Sequence, residues 1–290
     1  MTDPWARPAD QQPVPPPQPF PQGAPPSAPH PGAEPPKERG SVLAKVKGVF
    51  SDPLSVVLAV VILVALIAAG LLGGELYARN RADDVVSRVV SCVVEDEATA
   101  SFGALPPFLL QHMTGHYTNI NIETAGNQIR TAKGMKVAID IRDVRLEDSA
   151  DSGGSIGSLA VNVDWSSDGI TRTVQDAIPL FGSFLTGVST NPSEGTIELE
   201  GVLGSITAKP QVVNGGISLQ VQQLTGLGFT LPREAVQPAL DAFTSGLTEN
   251  YPMDIKAQSI QVTDTGVTAL LTSQNSQIPK SGEDPCFTEL

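Results

Sequence analysis

Positive charge is scarce in this chain. It holds 18 Lys and Arg against 31 Asp and Glu, a net charge of −13 over 290 residues. Residues 1–74 carry five of each sign, so the whole acidic surplus falls after residue 74. Such a region cannot release phosphate counterions, which argues against a nucleic-acid partner. It argues equally against broad electrostatic adhesion to anionic headgroups, so any lipid contact must be apolar or pocket-like. Histidine is also rare, with three residues, and cysteine rarer, with two. No G-x-x-x-x-G-K-[ST] loop is present to cradle a phosphate.

Charge is wholly missing from one stretch, VVLAVVILVALIAAGLLGG, Val56 to Gly74. Leu54 to Leu72 as a helix covers roughly 28 Å, about the hydrocarbon thickness of a bilayer. A cleaved signal peptide has a shorter apolar region placed near the N-terminus. Here more than fifty residues precede it, and Leu76-Tyr77-Ala78 offers no small-x-small cleavage site. No cysteine follows Gly70 or Gly74 to take a lipid. The stretch therefore reads as an uncleaved signal anchor, residues 54–74. Lys37, Arg39, Lys45 and Lys47 precede it, which places the N-terminus in the cytoplasm and the larger part outside the plasma membrane. The Gly70/Gly74 spacing sits at the very end of the span and is not read as a dimer interface.

Around the span the chain divides by composition. Residues 1–40 contain fourteen prolines and form a disordered cytoplasmic tail, with a protein partner as one use for it. Residues 41–53 are a basic juxtamembrane segment. Residues 75–290 form one extracytoplasmic domain, long enough for a sizeable core. Cys92 and Cys286 both lie in it, and an even count in an oxidising compartment favours a disulfide over two buried thiols.

Val86, Val89, Val90, Val93 and Val94 recur at helical spacing, so a helix continues beyond the span and needs a sheet to pack on. Pro107 and Gly115 bracket a second, short helix in PPFLLQHMTG. From Tyr117 the period becomes two. KVAIDIRDV, SLAVNVDW, GITRTVQ, GTIELEG, GISLQVQ and SIQVTDTGVTALL read as half-buried antiparallel strands, bounded by SGG, SSDG, NGG and DTG turns. Val236, Leu240, Phe243 and Leu247 then share a helical face. The order predicts an α+β fold: a curved antiparallel sheet wrapped around the N-terminal helix and a second, C-terminal helix.

Three patterns bear on chemistry. Gly153 to Gly157 matches G-x-S-x-G around Ser155, but a nucleophile elbow needs a strand before it and a helix after it. Here the motif reads as a polar hairpin loop. His112 and His116 are four apart, but Gly115 ends the helix between them and no third ligand is at hand, so no metal is expected. No cofactor is expected either. The third pattern is AIPLFGSFLTGV, which breaks the strand period without a charge, and LTGLGFTLP is a second apolar passage. They read either as buried connections or as an apolar lip that admits a lipid chain. The candidate lipid-contacting residues are Trp165, Leu180, Phe181, Phe184, Leu185 and Phe229.

Over roughly Val85 to Pro279 the chain resembles the LmeA-type phospholipid-binding proteins of actinobacterial envelopes. The resemblance rests on PFLLQHMTGHYTNINIET, on KVAIDIRDVRLE with SLAVNVDW, and on the ending GFTLPREAV…YPMDIKAQSIQVTDTGVTALLTSQNSQIP. It implies a tubular-lipid-binding-like fold, a phospholipid partner including phosphoinositides, and a role in assembling mannose-containing envelope glycolipids. It carries over no catalytic motif, so the chain is not expected to be an enzyme. The Pro-rich tail and uncleaved anchor depart from the simple signal peptide of that family and argue against free shuttling. Two rivals remain open: an envelope scaffold for a membrane protein, and a hydrolase using Ser155.

Overall fold

The computed structural model describes residues 53–147, 152–177, 182–226, 228–230, 232–248, 252–279 and 286. By contacts the chain divides into two units within its first helix. The first, Met1–Val60, holds among the described residues the opening turns of that helix, and the second is Val61–Leu290.

Helix α1 runs Pro53–Val94, 42 residues, and none of them is buried. It is long and apolar enough to cross a membrane. Its last five turns carry polar residues every fourth position: Glu75, Arg79, Asp83, Ser87 and Ser91. This row meets strand β1, Ala98–Phe102. The amides of Ala98, Ala100 and Phe102 donate to Ser91 Oγ (2.9 Å), Ser87 Oγ (2.8 Å) and Asp83 Oδ1 (2.9 Å). Four helical residues rise about 6 Å and two strand residues about 6.8 Å, so the two series stay in step for three rungs. An edge strand would otherwise expose these donors. Burial raises the Asp83 carboxyl above its ordinary range despite the Phe102 bond.

Helix α2, Phe108–Thr114, starts after Pro107 and ends at Gly115 in the left-handed conformation. Both ends match the sequence reading. Glu75 accepts the amides of Phe108 and Leu109, the latter at 2.9 Å, and pairs with Arg79 at 3.1 Å. The Leu109 amide bond, foremost, holds the Glu75 carboxyl below its usual value.

β1 begins a six-stranded antiparallel sheet ordered β1-β2-β5-β6-β13-β12. Its members are β2 (His116–Thr124), β5 (Met135–Leu146), β6 (Ser152–Ser166), β12 (Lys256–Thr263) and β13 (Gly266–Pro279). Gln128–Ile129 and Ala132–Lys133 form the small hairpin β3–β4. Asp96 clamps the loop before it, accepting from the amides of Gly126, Asn127 and Gln128. Burial raises the Asp96 carboxyl, but the Asn127 side chain and the amides of Gln128, Asn127 and Glu97 outweigh it and leave it lowered.

The second sheet has five antiparallel strands ordered β11-β10-β9-β8-β7. They are β7 (Leu185–Asn191), β8 (Thr196–Gly201), β9 (Gly204–Val213), β10 (Gly216–Gly226) and β11 (Phe229–Thr230). β12 lies against β7, β9 and β10. Helix α4, Gln237–Thr248, covers β10. Gln237 accepts from the Val221 amide and donates to the Leu219 carbonyl, both at 2.9 Å, where β10 bulges. The fold is thus α+β, with curved sheets that do not close.

One segment departs from the period-two reading. GITRTVQ lies in helix α3, Ser167–Ala177, and is not a strand. Ser166 Oγ caps it by accepting the Gly169 amide, and Arg172 pairs with Asp168 one turn earlier. Its β-branched residues look like a strand, but tertiary packing overrides that preference: Ile170 is buried in the core, while the Thr171 and Thr173 hydroxyls turn back to the carbonyls of Ser167 and Gly169.

Candidate functional site

One face of the six-stranded sheet is a continuous apolar surface. Register aligns Ile122, Ile139, Val161, Leu271 and Ala257 in one row. Val137, Val163, Ala269 and Ile260 form the next, and Met135, Trp165, Val267 and Val262 the one beyond. Two packed clusters sit on this face. The first centres on Phe108, Tyr117, Val144, Ile156 and Leu159, with Ala78 and Ala82 of α1 against it. The second centres on Ile170, Ile197, Leu199, Ala208 and Val267 and joins the two sheets. Among the described residues, Val137, Val163 and Ala269 belong to neither cluster and stay half-buried between them.

The second feature lies at one end of the five-stranded sheet. Pairing runs Leu185↔Gly201, Gly201↔Gly204, Gly204↔Gly226 and Gly226↔Phe229. Phe184, Val202, Leu203 and Phe229 therefore gather at that end, drawn from segments 45 residues apart. They are 46, 70, 56 and 73 % exposed. The Val202 amide donates to the Phe184 carbonyl at 2.9 Å, which ties the lip to the turn. Gly204 fixes the turn to its neighbour: a Cβ there would meet the Thr225 carbonyl oxygen at 1.9 Å. The opposite end of the sheet approaches β12, through Thr190 Oγ1 to the Asp264 carbonyl (3.2 Å) and the Ala257 amide to the Gly215 carbonyl (2.8 Å). Among the described residues, the apolar end makes no such hydrogen bond to β12.

The expected lipid-contacting residues thus separate. Phe184 and Phe229 are on the rim. Leu185 and Trp165 pack into the second cluster, and Trp165 Nε1 donates to the Lys133 carbonyl at 2.8 Å. Leu180 and Phe181 lie outside the described residues. Val202 and Leu203 were missed. Their signal was a two-residue hairpin loop of Val-Leu, where Asn-Gly or Gly-X is normal.

Ser155 is not in a hairpin loop. It sits within β6, paired with Arg145 and Gln277. The glycines beside it serve close approach: a Cβ on Gly154 (φ +143) would come within 2.1 Å of the Arg145 carbonyl oxygen. Arg145 pairs with both Ser155 and His116, and so stands between them. His116 instead binds Asp143 at 3.0 Å. No strand-to-helix turn presents Ser155 as a nucleophile. His112 bonds the Tyr117 hydroxyl at 2.9 Å. No three metal-ligating side chains converge among the described residues. Cys92 and Cys286 are joined in a disulfide.

Uncharacterized protein Rv0479c of Mycobacterium tuberculosis and uncharacterized protein Mb0489c of Mycobacterium bovis are each 50 % identical to this chain over 217 residues. Those matches cover 74 % of this chain and 62 % of each relative, so the chain spans less than two thirds of their length. No solved structure gives a significant match. The sequence profile of the LmeA-like phospholipid-binding family matches residues 69–272, most of the chain and both sheets, with an apolar face and an apolar rim inside it. The chain belongs to the LmeA-like phospholipid-binding family.

Proposed function

We propose that this protein is a membrane-anchored, non-catalytic phospholipid-binding protein that works outside the plasma membrane. In this reading residues 54–74 stay in the bilayer, residues 1–40 are a cytoplasmic tail, and residues 75–290 bind lipid. The observation that carries it is the rim: four large apolar side chains, contributed by separate segments, stand exposed at one end of the five-stranded sheet. Soluble surfaces rarely gather such side chains without a partner. In this reading an acyl chain is held at the rim. The family match supports a phospholipid as the ligand. A phosphoinositide headgroup and a place in mannose-containing glycolipid assembly are the finer form of the proposal.

The test is lipid extraction and mass spectrometry on the full chain, purified in detergent from an actinobacterial host. A phospholipid in defined stoichiometry is expected. The Phe184→Asp/Phe229→Asp variant should lose it while keeping its unfolding midpoint. Equal lipid content in both proteins would remove the rim from the mechanism. An empty native protein that cross-links to one membrane protein would favour the scaffold instead.

A further inference from the structure

A second set of exposed apolar side chains lies far from the rim in sequence. Leu105 and Met113 are 81 and 84 % exposed, and Leu110 and Leu146 are each 52 % exposed. Leu110 and Met113 are three apart on α2 and share a face. The other face of the same helix holds Phe108 and Gln111, which are buried. Gln111 is fixed there: its amide donates to the carbonyls of Pro106 (2.6 Å) and Gly103 (3.2 Å), and its oxygen accepts the Thr118 amide (3.0 Å). Leu146 joins the set because its amide donates to the Gly115 carbonyl at the end of α2. A helix anchored on one side that shows leucine and methionine on the other has an apolar surface without a protein neighbour among the described residues.

Its position along α1 identifies the occupant. Glu75 is the first charged residue after the apolar span, and it holds the first two amides of α2. A Cβ added at Gly74 would touch Leu109 Cδ1 at 4.0 Å. The short helix is therefore attached where α1 leaves its charge-free stretch. α2 is seven residues, roughly 10 Å long, so its apolar face lies within reach of the headgroup–acyl boundary. Tyr77, 75 % exposed on α1 at the same level, is of the type that settles at a membrane–water boundary. The net acidic charge gives no general attraction to the membrane, which leaves apolar insertion as the force.

We propose that α2 and the turn before it seat the domain on the outer leaflet of the bilayer that α1 crosses, with Leu105, Leu110 and Met113 inserted among the upper acyl carbons. This rests on the reading of residues 54–74 as a membrane span. The domain is then held by two contacts with the same membrane: the span and the seat beside it. Its orientation to the surface is fixed.

The experiment uses the full chain reconstituted into phosphatidylcholine/phosphatidylglycerol vesicles with brominated acyl chains. Met113→Trp and Leu105→Trp are reporters, read as the difference in emission from the parent chain. Val213→Trp, at the turn between β9 and β10, is the control. Insertion to the acyl boundary should quench about half or more of the added emission at 105 and 113. It should leave residue 213 as bright as in unbrominated vesicles. If the chain resists carbonate extraction but neither reporter is quenched, the seat is refuted and the span stands. Equal quenching at 213 refutes a defined seat as well. Release of the chain by carbonate refutes both span and seat.

Discussion

Replacing Phe229 by alanine probes the rim without opening a packed cluster. Phe229 is 73 % exposed and sits on a two-residue edge strand. A fully buried aromatic covers about 150–250 Å², so roughly 110–180 Å² of this residue is free to meet a ligand. At about 25 cal/mol per Å², complete coverage would stabilise the lipid complex by about 3–4.5 kcal/mol. A chain lying on one ring face covers about half of that, about 1.5–2 kcal/mol, or a ten- to thirtyfold loss of affinity on truncation. Folding should barely notice, because an exposed side chain outside a cap or core contributes within about 0.5 kcal/mol. The assay is equilibrium binding of a fluorescent phospholipid, alongside thermal unfolding of both proteins. Unchanged binding at unchanged stability would show that the ring meets no lipid. Weaker binding together with a large drop in unfolding temperature would show a structural role instead.

Further outcomes follow from the scaffold. Gln237→Ala should cost about 1–3 kcal/mol in chemical denaturation, because it strips partners from the Val221 amide and the Leu219 carbonyl. Ser87→Ala removes the middle rung between α1 and β1 and should raise amide exchange at Ala100 before its neighbours. Reducing the Cys92–Cys286 bond frees a loop closed over 194 residues, worth about 5 kcal/mol in the chain-entropy model, read as a lower unfolding midpoint in reductant. The lowered carboxyls of Glu75 and Asp96 add stability that is present above the ordinary carboxylate range and lost as the pH falls through their folded values. Asp83, raised by burial, acts in the opposite sense: its ionisation lowers stability as pH rises. Asp96→Asn should therefore flatten the acid limb of a stability–pH curve, and Asp83→Asn the limb just above it.

The parts that sequence reveals are those with a local cause. Proline and glycine set both ends of α2, and alternation alone marked β5, β6, β8, β10 and the β12–β13 hairpin. α3 was hidden because Ile170, Thr171, Thr173 and Val174 favour strands by type, and the Ser166 cap together with the packing of Ile170 and Val174 in the second cluster makes a helix of them. The rim was half legible. Phe184 and Phe229 stand in apolar passages, but their meeting with Val202 and Leu203 depends on register across five strands, a non-local property. The row Glu75, Arg79, Asp83, Ser87, Ser91 looks like a solvated helix face. Only the pairing with β1 shows that three of its members replace a missing strand.

That row has a mechanical consequence. Between the end of the apolar stretch and the first strand there is no slack: the same helix continues, and its side chains lock rung by rung onto the sheet edge. Over Asp83–Ser91, a tilt or rotation of the helix is passed to β1 through these three bonds. On the proposed reading of residues 54–74 as a span, a domain joined in this way has no tether on which to reach out. If α1 is the membrane span proposed above, the reach of the domain is set by its own dimensions, and a lipid it holds is exchanged with something that comes to it.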